Sequence, residues 1–443
     1  MLTLLGFAMV AVFMVLIMTK RMSALVALVI VPIVFGLVAG HGTDLGRMML
    51  EGITKLAPTG VMLMFAILYF GIMIDVGLFE PLVRRLVRVV HGDPVRVAVG
   101  TAVLALLVSL DGDGSTTYMI TTAAMLPLYL QLRMSPLVLT CVAMLSSSVM
   151  NILPWGGPTA RVASALQVDV ADVFVPLIPA MLAGAVCVLF TAWRLGLRER
   201  ARLTDAVIPS TARDPQFTDA QIPLKDMPIG GTRRHLLVAN AVLTLVLLVA
   251  LVSNLLPLPA LFVTAFAIAA LLNYPSVADQ KKHIMAHAGN ALSVSGLIFA
   301  AGIFTGILSG TRMVDAMAAS VVHIIPPPLA PYLAPVTGLL SVPFTFFISN
   351  DAFYFGIVPI LAKTASAYGI SAAEIARASL IGQPVHFLSP LVPSTYLLVG
   401  LVNVELGDHQ RFTLKWTLLA ALVILGVGLA IGVIPLIGRI GAP

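Results

Sequence analysis

Four short polar stretches interrupt apolar segments of this chain and gather groups that can do chemistry. The first is DGDGSTT (111–117), with carboxylates at Asp111 and Asp113 and hydroxyls at Ser115, Thr116 and Thr117. Its glycines permit a tight reversal, because glycine accepts positive φ without strain. The second is NILPWGGPTAR (151–161), where Asn151, Gly156, Gly157, Pro158, Thr159 and Arg161 sit between two apolar half-helices. The third, FISNDAFYF (347–355), offers Ser349, Asn350 and Asp351. The fourth, GQPVHFLSPLVPST (382–395), offers Gln383, His386, Ser389 and Ser394 among three prolines.

Carboxylates within a membrane are costly and usually functional. Asp111, Asp113 and Asp351 can act in two ways. A desolvated carboxyl can bind and release a proton near neutrality, or hard oxygens can coordinate a divalent cation. The helix restarting at Pro158–Thr159 presents free N–H groups and a positive dipole end, suited to a carboxylate. Arg161 either touches substrate or snorkels to an interface. His386 is either a structural histidine or a proton or substrate contact. Asp75, near Glu80, is either a further site group or an interfacial charge.

Composition fixes the class of element that positions these groups. Hydrophobic residues make up 59% of 443 residues and charged residues 10%, with mean hydropathy +1.03. That is too little charge to cover a water-facing surface, and apolar runs near 20 residues recur. The chain reads as an all-α polytopic membrane protein, because unbroken apolar segments span lipid as helices. The first apolar segment lacks a basic leader and a cleavage site, and reads as a span rather than a signal peptide. Cys141 and Cys187 lie in apolar segments and read as buried hydrophobes. There is no nucleophile–histidine–acid set, no HExxH and no phosphate loop, so an enzyme is not expected. The net charge of +6 is assigned to basic loops on one membrane face, not to nucleic acid.

Spans are placed at 2–18, 22–40, 58–78, 136–165, 172–193, 236–254, 258–273, 288–309, 375–401 and 413–436, with 97–127 and 330–361 as interrupted segments. Taking 97–127 as a hairpin that returns to its own side puts Lys20, Arg21, Arg84, Arg85, Arg88, Arg96, Arg133, the arginines at 194–202, Lys281 and Lys282 inside. The loops 41–57 and 167–172 then fall outside, as do both termini. Residues 196–235 read as a polar cytoplasmic linker between two halves of opposite orientation. The halves also align: Phe65 with Phe299, Pro127 with Pro359 and Pro158 with Pro393, at offsets of 234, 232 and 235. Inverted repeats with broken helices at matching positions point to a secondary transporter. The division expected is 1–95 and 236–328 as scaffold, with 96–195 and 329–443 as the transport part.

SLDGDGSTTYMIT, LPWGGPTAR, ISNDAFYFGIVPIL and GQPVHFLSPLVPSTYLL resemble the citrate–metal–proton symporter family (CitMHS), in the ion transporter superfamily, and the likeness extends over nearly the whole chain. The resemblance implies uptake of citrate as its complex with a divalent cation, magnesium or calcium, driven by protons. It also implies a homodimer of elevator type, each protomer having two re-entrant hairpins and two broken helices whose tips bind substrate. No tightly bound cofactor is implied; the metal belongs to the substrate. Sodium-coupled relatives carry Ser-Asn-Thr at both tips. Here Ser349–Asp351 reads Ser-Asn-Asp and the other tip is acidic, which favours proton coupling, metal recognition, or both. The expected function is therefore proton-driven uptake of metal–citrate in a bacterial cytoplasmic membrane, the alternatives being another anion carrier, a channel or a sensor.

Overall fold

The computed structural model describes all residues except 20, 91, 206–233, 254–255, 325, 327 and 439–443. Lys20, Arg439, most of the expected linker and the side chains of Arg84 and Arg88 lie outside the described residues. Among the described residues there are helices and no strand.

Two apolar helices, α1 (Leu2–Met18) and α2 (Ala24–Val38), precede the long α3 (Leu45–Asp75) and the short α4 (Glu80–Val89). A helical pair follows, α5 (Pro94–Val108) and α6 (Gly114–Gln131), then an interrupted helix, α7 (Pro136–Met150) and α8 (Gly157–Leu166), and the long α9 (Val170–Asp205). The same order recurs. Apolar helices α10 (Arg234–Val252) and α11 (Leu258–Asn273) lead to the long α12 (Val277–Gly310) and the short α13 (Met313–Ile324). Then come α14 (Leu333–Phe347) and, after a π turn at Ala352–Ile357, α15 (Val358–Ser366). The interrupted α16 (Ala372–Ser379), α17 (Gln383–His386) and α18 (Pro393–Val402) precede α19 (Leu406–Ala430).

Among the described residues, six segments are long and apolar enough to cross a membrane: Leu45–Asp75, Pro94–Asp111, Val170–Thr204, Val277–Gly310, Ala330–Phe347 and Leu406–Ala430. The spans expected at 2–18, 22–40, 236–254 and 258–273 form shorter apolar helices. Two expectations need correction. Residues 45–57 are not loop but the first turns of α3, which runs unbroken through Pro58 for 31 residues, about 46 Å at 1.5 Å per residue. Residues 196–205 are likewise helical, continuing α9 rather than opening the linker. In both cases charged side chains solvate a helix that outlasts its apolar stretch, and hydropathy marks where charge begins rather than where the helix stops.

Polar contacts show where each pair of limbs begins and ends. Asp93 caps α5 by accepting from Val95 N–H at 3.1 Å, and it also accepts from Arg200 Nη2 at 2.6 Å. That guanidinium holds the Asp93 carboxyl below its usual range. Arg133, just after α6, accepts at its carbonyl from Arg202 Nη2 at 2.6 Å. The chain therefore enters α5 and leaves α6 at one end of α9. In the second half, Gly438 N–H donates to Pro331 C=O at 2.6 Å, and a Cβ at Gly438 would strike Tyr368 C=O. The start of α14 and the end of α15 thus also share one end. Arg377 of α16 donates to the Asp172 carbonyl, at the opposite end of α9.

Helices α3 and α12 cross backbone to backbone. A Cβ at Gly52 would overlap the Gly302 carbonyl, and one at Gly306 would overlap the Met48 carbonyl. Small residues let backbones approach to this degree. Gly52→Val is expected to cost about 1–3 kcal/mol or more through overpacking, read as a lower thermal unfolding midpoint in detergent. Gly46→Ala, on the same helix with open space around it, should leave the midpoint unchanged.

Candidate functional site

The four polar breaks converge. The first tip, between α5 and α6, touches the break between α7 and α8: Trp155 Nε1–H donates to Leu110 C=O at 2.8 Å. Gly112 has φ +80°, and a Cβ there would lie 2.9 Å from the Trp155 ring. The same tip meets the break of the second half, where Gly114 faces Phe387 and Ser394. The second tip meets both breaks too. Arg161 Nε donates to Asp351 Oδ1 at 2.6 Å, with both side chains mostly buried. Gln383 Nε2 donates to Asn350 Oδ1 at 3.4 Å and to Tyr354 OH at 2.7 Å. Finally the breaks meet each other, as Asn151 Nδ2 donates to Gln383 Oε1 at 3.2 Å.

Local sequence explains each break. Gly156 can cap α8 because a Cβ there would overlap the Asn151 carbonyl, and Gly157 leaves room for the Arg161 guanidinium folded back over the helix start. Pro158 opens α8 and Pro393 opens α18, where a missing N–H costs nothing. The limbs after the tips restart behind Asp113 and Asp351.

The candidate residues divide into two groups. Asp113 is consumed as a cap: its carboxylate accepts from Ser115 N–H at 3.1 Å, Thr116 N–H at 3.1 Å and Thr116 Oγ1 at 2.7 Å. Thr117 is buried, donating to the Asp113 carbonyl at 3.0 Å and lying 3.1 Å from Ser109 Oγ. Thr159 donates to Ile152 C=O at 2.7 Å, Ser389 to Phe346 C=O at 2.6 Å, and His386 Nδ1–H to Thr345 C=O at 2.7 Å. Ser349 Oγ accepts from Ala352 N–H at 3.2 Å. These hydroxyls and this ring fasten broken backbone. Asp111 differs. Its Oδ1 accepts from Asp113 N–H at 2.9 Å, while its Oδ2 is buried with no hydrogen-bond partner among the described residues. Asp75 lies apart from the breaks, against two histidines of α12.

A family model described as "Citrate transporter", CitMHS, matches residues 13–382. The chain belongs to the CitMHS citrate transporter family. It is 59% identical over 434 residues to a protein of Bacillus subtilis (strain 168) named "Citrate transporter", covering 98% of this chain and all of that one. It is 52% identical over 435 residues to the "Mg(2+)/citrate complex secondary transporter" of the same organism, covering 98% and 99%. Among solved structures it resembles the YdaH transporter of Alcanivorax borkumensis (TM-score 0.57, 15% identity, 90% of each chain). It also resembles MtrF of Neisseria gonorrhoeae (TM-score 0.59, 15% identity, 91% and 87%). At that identity the likeness concerns the fold. Family membership makes the chain a multi-pass membrane transporter rather than an enzyme.

Sequence reasoning passed over Trp155 and Tyr354, although both lie inside the stretches it singled out. Trp155 also packs on Phe70 of α3 and Phe262 of α11, with ring centroids 5.2 and 5.1 Å apart. The available signal was an aromatic with a polar handle inside a helix break. Gly112→Ala should cost about 1–2 kcal/mol from its left-handed backbone, beyond the Trp155 overlap. The measurement is the thermal midpoint, which Gly112→Ala should lower, as should Trp155→Phe, which leaves the Leu110 carbonyl without its donor and trims the ring packed on Phe70 and Phe262.

Proposed function

We propose that this chain takes up citrate as its complex with a divalent metal, of the magnesium or calcium type, in symport with protons across the bacterial cytoplasmic membrane. The observation that carries the reading is the Arg161–Asp351 pair, made between the two halves where the second break meets the third. Citrate carries about three negative charges near neutrality, so its complex with a divalent ion is close to −1. One arginine, helix starts and amide groups suit that charge. A bare tricarboxylate would call for more cations than the breaks supply.

The pair also suggests how protons couple. While Asp351 is ionised it holds Arg161. Protonating Asp351 frees the guanidinium to take a substrate carboxylate, and release of substrate restores the pair and returns the proton. Asp111, with one buried unpartnered oxygen, is the group we assign to the metal of the complex, since an isolated buried carboxylate needs a cation or a proton beside it. Asp113, Thr159 and Ser389 hold the breaks in shape.

The supporting frame is an elevator. In this reading the halves are inverted repeats, 96–195 and 329–443 form the moving part, and 1–95 and 236–328 the scaffold, paired in a homodimer in the lipid bilayer. The pairs of limbs, starting from opposite ends of α9, support re-entrant hairpins from opposite faces. The basic end, with Arg194–Arg202 and Lys281–Lys282, is cytoplasmic, and the termini are outside.

Cells or vesicles carrying the protein should accumulate labelled citrate only with magnesium or calcium present, and a chelator should abolish uptake. Uptake indifferent to every divalent ion sinks the metal-complex reading. Asp351→Asn should lose accumulation driven by a pH gradient yet keep counterflow exchange of citrate; wild-type accumulation in that variant refutes the coupling role. Asp111→Asn should lower uptake at least tenfold and change the order of metal preference, while still reaching the membrane.

A further inference from the structure

One cluster of titratable groups takes no part in the breaks. Asp75, at the last turn of α3, meets His283 and His287, one turn apart on α12. His283 Nδ1 is 2.8 Å and His287 Nε2 is 3.1 Å from the same oxygen, Asp75 Oδ2, and one ligand atom of each lies within 4.8 Å of the others. We propose that Asp75, His283 and His287 form a site for a borderline divalent transition metal of the zinc type, which clamps α3 to α12 and is distinct from the transported ion.

The donor set decides the class of ion. Two imidazoles and one carboxylate suit zinc and its neighbours, whereas magnesium and calcium take oxygen ligands. The spacing bears on the feasibility. Tetrahedral zinc with bonds of about 2.0–2.1 Å places its ligand atoms about 3.3 Å apart, so each histidine needs to draw back from Asp75 by only a few tenths of an ångström, and the two ring nitrogens, within 4.8 Å of each other, need to sit near that same separation.

The surroundings are those of a held site. His283 is buried, its Nε2 lies 3.4 Å from the Leu68 carbonyl, and its ring stacks on Tyr274, whose hydroxyl is 3.4 Å from Nδ1. A bond from Nε2–H to that carbonyl leaves Nδ1 as the ligand atom. Gly71 has no side chain to block His287, since a Cβ there would lie 2.9 Å from that ring. Asp75 is 41% exposed, which opens the remaining coordination position to solvent. Phe70, the residue before Gly71, packs on Trp155. A metal at this end of α3 therefore stiffens the surface on which the second break rests.

This inference does not depend on citrate being the substrate, and its test needs no transport. Tag-free full-length protein in detergent is stripped with a chelator, cleared of it, and titrated with cobalt, then with zinc. The wild type should bind one cobalt per chain with ligand-field absorption, zinc should displace it, and zinc but not magnesium should raise the thermal midpoint. His283→Gln and the more exposed His287→Gln should each bind zinc at least tenfold more weakly, with His287→Gln keeping the metal-free midpoint. Absence of stoichiometric cobalt or zinc binding in the wild type, or wild-type affinity in both variants, overturns the proposal.

Discussion

A helix broken inside an apolar surround leaves N–H and C=O groups that water cannot reach, each costing several kcal/mol if unpaired. This chain breaks its helices four times, and the breaks settle much of that demand among themselves. Trp155 serves the Leu110 carbonyl, Thr159 that of Ile152, His386 that of Thr345, Ser389 that of Phe346 and Thr395 that of Phe387. Gln410 of α19 serves Leu388. The breaks are therefore mutually dependent, and their convergence follows from backbone satisfaction before any ligand is considered.

That constraint sorts the polar residues by job. Once carbonyls and helix starts are served, a small remainder is left: Arg161 with Asp351, the Asn151–Gln383–Asn350 amides with Tyr354, and one oxygen of Asp111. Arg161–Asp351 and Asn151–Gln383 pair across the two halves, and Gln383 also joins Asn350 and Tyr354 within the second. A ligand can compete for them without unfolding a helix end. Asp113 and Asp351 illustrate the difference. Both stand at the start of a limb, yet Asp113 caps its own helix while Asp351 reaches to Arg161.

The long helices supply the opposing element. At Gly52, Gly302 and Gly306 the backbones of α3 and α12 touch, so these helices cannot slide past one another without a carbonyl meeting a carbonyl. Phe70 and Phe262 then offer Trp155 an aromatic surface.

The sequence by itself determined the class and the places of interruption. Composition forced helices, and glycine, proline and short polar residues marked all four breaks, because those residue types act through the local backbone. Family membership was legible in the same stretches. The lengths of α3 and α9 were not, since a helix can continue through charged residues that hydropathy reads as loop. Nor were the partners of Thr159, Ser389 and Asp113, which offer the same atoms as any binding group. Only the tertiary structure decided that their hydrogen bonds were already committed to backbone, that Arg161 meets Asp351 across 190 residues, and that Asp75 finds two histidines on a distant helix. Those pairings depend on how helices far apart in the chain pack, which no local pattern encodes.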